Sequence, residues 1–372
     1  KCLVQFQHLL PIIKMEQRKK YEEEKLDITK RVSQVMDLAI NPIFGELDNE
    51  TVEFMQKLYG ARRKRAQNGG RLRDIVVLTI LKICGTKEIS LDHLKAIAAG
   101  EFYNIASYYQ NWHLDNKKEV ENEKQAKLCH IASHVAREIA HRLIIETNFS
   151  ENIKLSLLKE ISDSNMAIQI GQAFELNELN IENNDIINGK QKAIENYFRR
   201  TLLITGKFYG SSFAMGAIMA EAGVEEVKLF REIGENFGTG AQIINDAGDF
   251  CLNKEIAKHP DKDYKDQFRD LEKGTITLPI LELSRFIALE KYTNRKISNE
   301  EKEMLLGVMI KNRCFDSARQ NSNFLRNKMI KLLSNIRPSA ERAILEFMIK
   351  TFFNSNKFYV NLREEYGYVW GK

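Results

Sequence analysis

Proline is scarce in this chain: five residues, at 11, 42, 260, 279 and 338, among 372. Long tracts therefore run without the residue that breaks helices, and they carry apolar side chains at helical spacing, which is an all-α pattern. Cysteine is scarce too. Cys2, Cys84, Cys129, Cys251 and Cys314 form no CxxC pair and keep no fixed interval. That excludes a disulfide scaffold and a cysteine zinc site, and it suits a reducing compartment. No run of about eighteen apolar residues occurs, so no membrane span is expected. A surplus of one charge is missing as well. Against 56 basic side chains stand 51 acidic ones, net +5, too balanced for a nucleic-acid surface. Glycine-rich phosphate loops, which need a preceding strand, are absent with the strands.

What is there is helix. The apolar spacing predicts helices over 14–39, 48–66, 71–84, 91–110, 122–146, 151–159, 163–179, 190–222, 225–253, 276–291, 298–309, 314–334 and 339–352. The segment 202–222 carries Gly206, Gly210, Ser211, Ser212, Ala214, Gly216 and Ala217. Side chains that small suit close packing inside a bundle. A charged stretch, 254–269, holds Pro260 and reads as a loop, or as a lid beside the acidic residues that precede it. The segment 1–13 begins without Met and lacks the charge arrangement of a signal peptide. A cytoplasmic location, or an organellar one behind a trimmed transit segment, both stay open.

The chemistry-bearing residues concentrate in Gln242–Phe250, which reads QIINDAGDF, and in DLEKGTITLP from Asp270 to Pro279. Asn245 and Asp249 are one helical turn apart, a rise of about 6 Å, and Asn253 continues the stripe. With Asp246 they offer hard oxygen ligands of the kind Mg²⁺ prefers. That points to diphosphate chemistry, in which a cation neutralises a leaving group that carries several negative charges. His130, His134, Glu138 and His141 also follow helical spacing, but a solvated helix face accounts for them better than a zinc site.

The two acidic fragments resemble the FQxxDDxxD motif and the D-L-x-x-G-K-x-T-L-P loop of the trans-isoprenyl diphosphate synthase (polyprenyl synthetase) family, a relative of the class I terpene synthases. Further fragments follow in order. Residues 68–73, NGGRLR, resemble the family's GGKRxR segment. Residues 101–107, EFYNIAS, resemble its E-x-x-H-x-x-S helix, and Gly171, Gln172 and Glu175 its G-Q-x-x-D element. Tyr197–Gly216 resembles the helix bearing a Lys-Thr pair, of which Thr205 is present. The resemblance implies an isoprenoid-synthase-type bundle of roughly ten or more helices around a central cavity. The expected organisation is an N-terminal extension and helix (1–47), the synthase-like domain (48–355) and a tail (356–372).

The same resemblance implies a set of site residues. Catalysis falls to Asp246, Asp249, Asp115, Thr205 and Gln242. Metal is held by Asp246, Asp249, Asn245, Asp115, Asn111 and Asn253. Arg71, Arg73, Asn104, Lys117, Lys118, Lys207 and Lys273 bind diphosphate. Phe102, Tyr103, Ala106, Ser107, Tyr108, Tyr109 and Trp112 line the cavity; small Ala106 and Ser107 leave room for long products. The motifs are eroded, however. The first aspartate-rich motif has become Asn111-Trp-His-Leu-Asp115, the second begins with Asn245, and the lysine before Thr205 is Ile204. Three readings remain: an Mg²⁺-dependent prenyltransferase coupling an allylic isoprenoid diphosphate with isopentenyl diphosphate (IPP), a terpene synthase that needs no IPP, and a non-catalytic partner of an active synthase. A homodimer, or a heteromer with such a synthase, is implied by the resemblance.

Overall fold

The computed structural model describes residues 15–46, seven positions between 49 and 60, and residues 72–114, 122–179, 181, 190–250 and 267–354. Among the described residues the regular structure is all-α, without strands, as the spacing of apolar residues predicts. No described helix is long and apolar enough to cross a membrane. Contacts sort the chain into two units, residues 1–163, 212–228 and 339–344 in the first and 164–211, 229–338 and 345–372 in the second.

In the first unit, α1 (Met15–Phe44), α2 (Leu72–Ile83), α3 (Leu91–Leu114) and α4 (Glu123–Ile145) form successive helices. Eight consecutive residues of α2, Asp74 to Leu81, are buried, the burial of a helix covered on every side. α4 is two-faced. Cys129, Ala132, Ser133, Ala136, Ile139, Ala140, Leu143 and Ile144 repeat at three- and four-residue steps and are buried, and this stripe packs along α3. The helix starts where the Asn122 side chain accepts the Gln125 N–H, satisfying one of the unpaired donors of its first turn.

The second unit contains the remainder of α5 (Glu151–Glu178), α6 (Lys190–Thr201) and most of α8 (Val224–Gly248), followed by α9 (Arg269–Glu272), α10 (Leu278–Leu283), α11 (Asn299–Lys311) and α12 (Asp316–Leu333). Two expected helices, 151–159 and 163–179, are one: neither Gly nor Pro separates them, and Ile161 is buried at the expected break. The expected helix 190–222 is interrupted instead. Over Leu202–Gly206 the backbone widens into a π-turn, with Lys207 N–H reaching Leu202 O, before α7 (Lys207–Met219) resumes. Such single π-turns concentrate at functional sites.

The small residues on this stretch act as the sequence suggests. A Cβ on Gly206 would lie 2.7 Å from Thr239 Oγ1, one on Gly210 2.6 Å from Glu235 Cγ, and one on Gly238 of α8 only 2.3 Å from Thr205 O. At Gly238 the obstruction is backbone, which cannot rotate away. Gly238→Ala is therefore expected to destabilise the protein by about 3 kcal/mol, the upper end for overpacking. Gly307→Ala, in α11 with nothing within 4 Å of the new Cβ, should instead stabilise it by about 0.5–1 kcal/mol. Urea midpoints of the two variants test this; equal shifts would contradict it.

Candidate active site

The best-defined polar cluster lies wholly in the second unit and centres on the last turn of α8. Asp246, only 2% exposed, takes three hydrogen bonds. Its Oδ1 accepts Gln242 Nε2 at 2.6 Å, while its Oδ2 accepts both the Tyr197 hydroxyl at 2.8 Å and Arg200 Nη2 at 2.7 Å. Gln242 is one turn before Asp246 and turns its other end to Thr205, whose Oγ1 donates to Gln242 Oε1 at 2.8 Å. The π-turn and the acidic motif are thus joined through one amide. Arg200 spans two acids, its Nη1 donating to Glu175 Oε2 at 2.7 Å. Its buried Nε has no acceptor among the described residues.

Electrostatics follow from that burial. For Arg200, desolvation opposes the charged form, and Asp246 and then Glu175 more than reverse it, leaving the guanidinium above its ordinary pKa. Burial, followed by the Asp246 charge, pushes the Tyr197 phenol well up. Tyr197 is therefore a neutral donor.

A second pair of acids sits beside this cluster. α8 ends at Gly248, so Asp249 lies in the turn beyond it, its N–H reaching Asp246 O at 3.3 Å. Its Oδ2 accepts the Asp270 N–H at 3.1 Å, and its carbonyl accepts Phe268 N–H at 3.0 Å. Phe268 holds the left-handed conformation, φ 63°, with its ring buried edge-on to Phe250 at 5.0 Å. A bulky residue at positive φ is an outlier that the surrounding contacts must enforce, and such strain clusters at functional sites. Two further backbone bonds, Ile181 N–H to Gly274 O and Ile276 N–H to Leu179 O, fix the segment after Asp270. Asp249 and Asp270 both have pKa values raised, first by burial; in Asp270 repulsion from Asp249 adds to it, and in Asp249 backbone N–H groups oppose it.

The sequence-derived residues divide accordingly. Asp246, Asp249, Thr205 and Gln242 come together. Asn245 is exposed, about 100° around the helix from Asp246. Lys207 pairs with Glu235 at 2.7 Å and Lys273 is exposed. In the first unit, Arg73 lies 3.7 Å from the Glu101 carboxylate, and Asn104 is buried on the same helix, α3. Phe102, Ala106 and Tyr109 are buried and Ser107 and Tyr108 partly so; Phe102 stacks on Tyr59, and Tyr103 bonds His141 Nε2 at 2.8 Å. His130 and His134 meet edge to face. Arg71, Asp115, Lys117, Lys118 and Asn253 lie outside the described residues, as do the side chains of Asn111 and Trp112. Motif spacing did not single out Arg200, Tyr197 or Asp270, although Asp270 opens the D-L-x-x-G segment and Tyr197 begins the helix of the Lys-Thr pair.

Among the described residues no group of three or more His, Cys, Asp or Glu side chains is arranged to hold a metal ion. The donor set nevertheless fits Mg²⁺, which typically takes one or two carboxylates and completes its shell with water and substrate phosphate. Asp249 and Asp270 form such a pair.

Comparison with known proteins agrees with this architecture. The polyprenyl synthetase family model matches residues 125–308, and the chain belongs to that family. Geranylgeranyl pyrophosphate synthetase from Pyrococcus horikoshii superposes with a TM-score of 0.69 at 20% identity, over 90% of this chain and 99% of that one. Heptaprenyl diphosphate synthase from Staphylococcus aureus gives 0.69 at 21%, over 89% and 98%. Geranylgeranyl pyrophosphate synthase from Corynebacterium glutamicum, in complex with calcium and isoprenyl diphosphate, gives 0.70 at 17%, over 93% and 99%. No curated protein matches by sequence.

Proposed function

We propose that this chain is a divergent trans-prenyltransferase acting on allylic isoprenoid diphosphates, with Asp249 and Asp270 as the carboxylates that hold Mg²⁺. The observation that carries the reading is the Asp249–Asp270 contact, in which two half-buried acids are held together by a backbone hydrogen bond and a strained Phe268. Like charges kept at close range in a low-dielectric setting are stabilised by a cation, and that is the use to which polyprenyl synthetases put their acids. The Corynebacterium glutamicum relative, which holds calcium and isoprenyl diphosphate, supports it. The cation supplies charge neutralisation of the departing diphosphate. The chain's own residues do the rest. Gln242 holds the Asp246 and Thr205 side chains in register across the π-turn, and Asp249 and Asp270 place negative charge where the cation belongs. Loss of diphosphate from the allylic substrate, attack of the IPP double bond on the carbocation and proton loss to the released diphosphate complete the coupling.

A second reading, a non-catalytic subunit of an active synthase, has its own observation: Asp246 is consumed by Arg200, and the acid expected before it is exposed Asn245. Turnover with allylic diphosphates of five, ten, fifteen and twenty carbons, each with and without radiolabelled IPP, separates the two. Label in a longer product is expected. No product from any substrate, with increased turnover when the chain is added to an active synthase, would replace the first reading with the second.

A further inference from the structure

We propose that Arg200 is a built-in counter-ion that takes the place of a divalent cation at Asp246, so that cation binding at this motif falls to Asp249 and Asp270. The inference rests on the carboxylate assignment just given. Asp246 receives donors from three side chains: Gln242 on one oxygen, and Tyr197 and Arg200 on the other. A metal ion on Oδ2 would have to displace a guanidinium that already supplies positive charge at 2.7 Å, and one on Oδ1 would have to compete with Gln242 Nε2 while facing that same charge. That guanidinium is itself shut in, with 5% of its side chain exposed, and is tied at its other nitrogen to Glu175. Removing one partner of a buried pair strands the other, so the arrangement resists exchange. Because arginine stays charged throughout the working pH range, no pH change vacates the position.

Asp249 is held differently. The donor on its Oδ2 is a neutral backbone N–H, and its neighbour is another acid, Asp270. Asp246 is thus matched by a buried guanidinium at hydrogen-bond distance, whereas at Asp249 the opposing charge is that of Arg269, a half-buried side chain. A fixed cation of this kind lowers the number of metal ions that the motif takes up before substrate arrives, leaving one where the sequence pattern alone suggests ligands at both aspartates.

Mn²⁺ binding to the full chain without substrate, followed by loss of the free-ion paramagnetic resonance signal, tests this independently of turnover. Asp249→Asn is expected to weaken Mn²⁺ binding at least about tenfold, and Asp246→Asn to change it by less than about twofold. Arg200→Met should add a site, or tighten binding at least about tenfold, and the gain should vanish in the Arg200→Met, Asp246→Asn double variant. Arg200→Gln, which keeps a donor and loses only the charge, serves if the methionine variant does not fold by circular dichroism. A tenfold loss in Asp246→Asn, or no gain on removing the Arg200 charge, overturns the inference. If the wild-type chain binds no Mn²⁺ but the Arg200 variants do, Arg200 is the counter-ion of Asp246, while the assignment of a cation to Asp249 and Asp270, and with it the prenyltransferase reading, fails.

Discussion

Asp249→Asn is expected to lower prenyl transfer by about 100- to 1,000-fold, the usual cost of removing a group that stabilises charge in the transition state, and to make the metal-free protein more stable at pH 8. The two effects share one cause. Asparagine keeps an oxygen to accept the Asp270 N–H but removes the negative charge that burial and the nearby Asp246 disfavour. The sign follows from the raised pKa values of both acids. Their folded state favours the proton, so the stability they contribute is complete in acid and lost as pH rises through the raised values. Asparagine cannot lose that proton equivalent, and the variant should retain its stability across the same interval. Thermal melts at pH 5 and pH 8 with metal chelated, set beside turnover, make the check: a variant that lost activity and stability together at pH 8 would mean that Asp249 is only a structural acid.

Glu272→Ala should cost about 3–5 kcal/mol, the range for stranding a buried charge. Glu272 is two residues beyond Asp270 and almost wholly buried. Its Oε1 accepts the Ile297 N–H at 3.0 Å and faces Lys302 Nζ at 3.8 Å, while its Oε2 takes Lys296 Nζ at 2.9 Å. Lys302 is as deeply buried as the acid, so alanine would leave an ammonium without its counter-charge. Lys296 is 84% exposed, and Lys296→Ala should cost under about 1 kcal/mol. Urea unfolding of both variants distinguishes the contributions. Similar losses would show that the buried Lys302 finds another partner.

The helical fold was legible because helical spacing and the shortage of proline leave few alternatives. The acidic site was legible in half. Gln242, Asp246 and Asp249 stand out by spacing, and the structure brings them together with Thr205. Arg200 did not stand out, because motif position directs attention to Ile204 and Lys207, whereas the cation comes from four residues before Ile204. Arg199 and Arg200 are adjacent and equivalent by composition. Only packing distinguishes them, Arg199 lying over the Phe174 ring and Arg200 buried between two acids. The π-turn at Leu202–Gly206 was illegible for a similar reason: it lies where Thr205 and Gly206 pass close to Gly238 of α8, and such approaches are set by tertiary contacts. Nor does periodicity reveal that α8 stops at Gly248, which moves Asp249 off the helix face shared with Asn245 and into a turn facing Asp270.

The most direct measurement is a crystal structure of the full chain grown with magnesium and a non-hydrolysable allylic diphosphate. The expected result is a cation joining the diphosphate to Asp249 and Asp270, with Asp246 still paired to Arg200. Diphosphate bound elsewhere, or carboxylates at 249 and 270 without a cation at saturating magnesium, would contradict the prenyltransferase assignment.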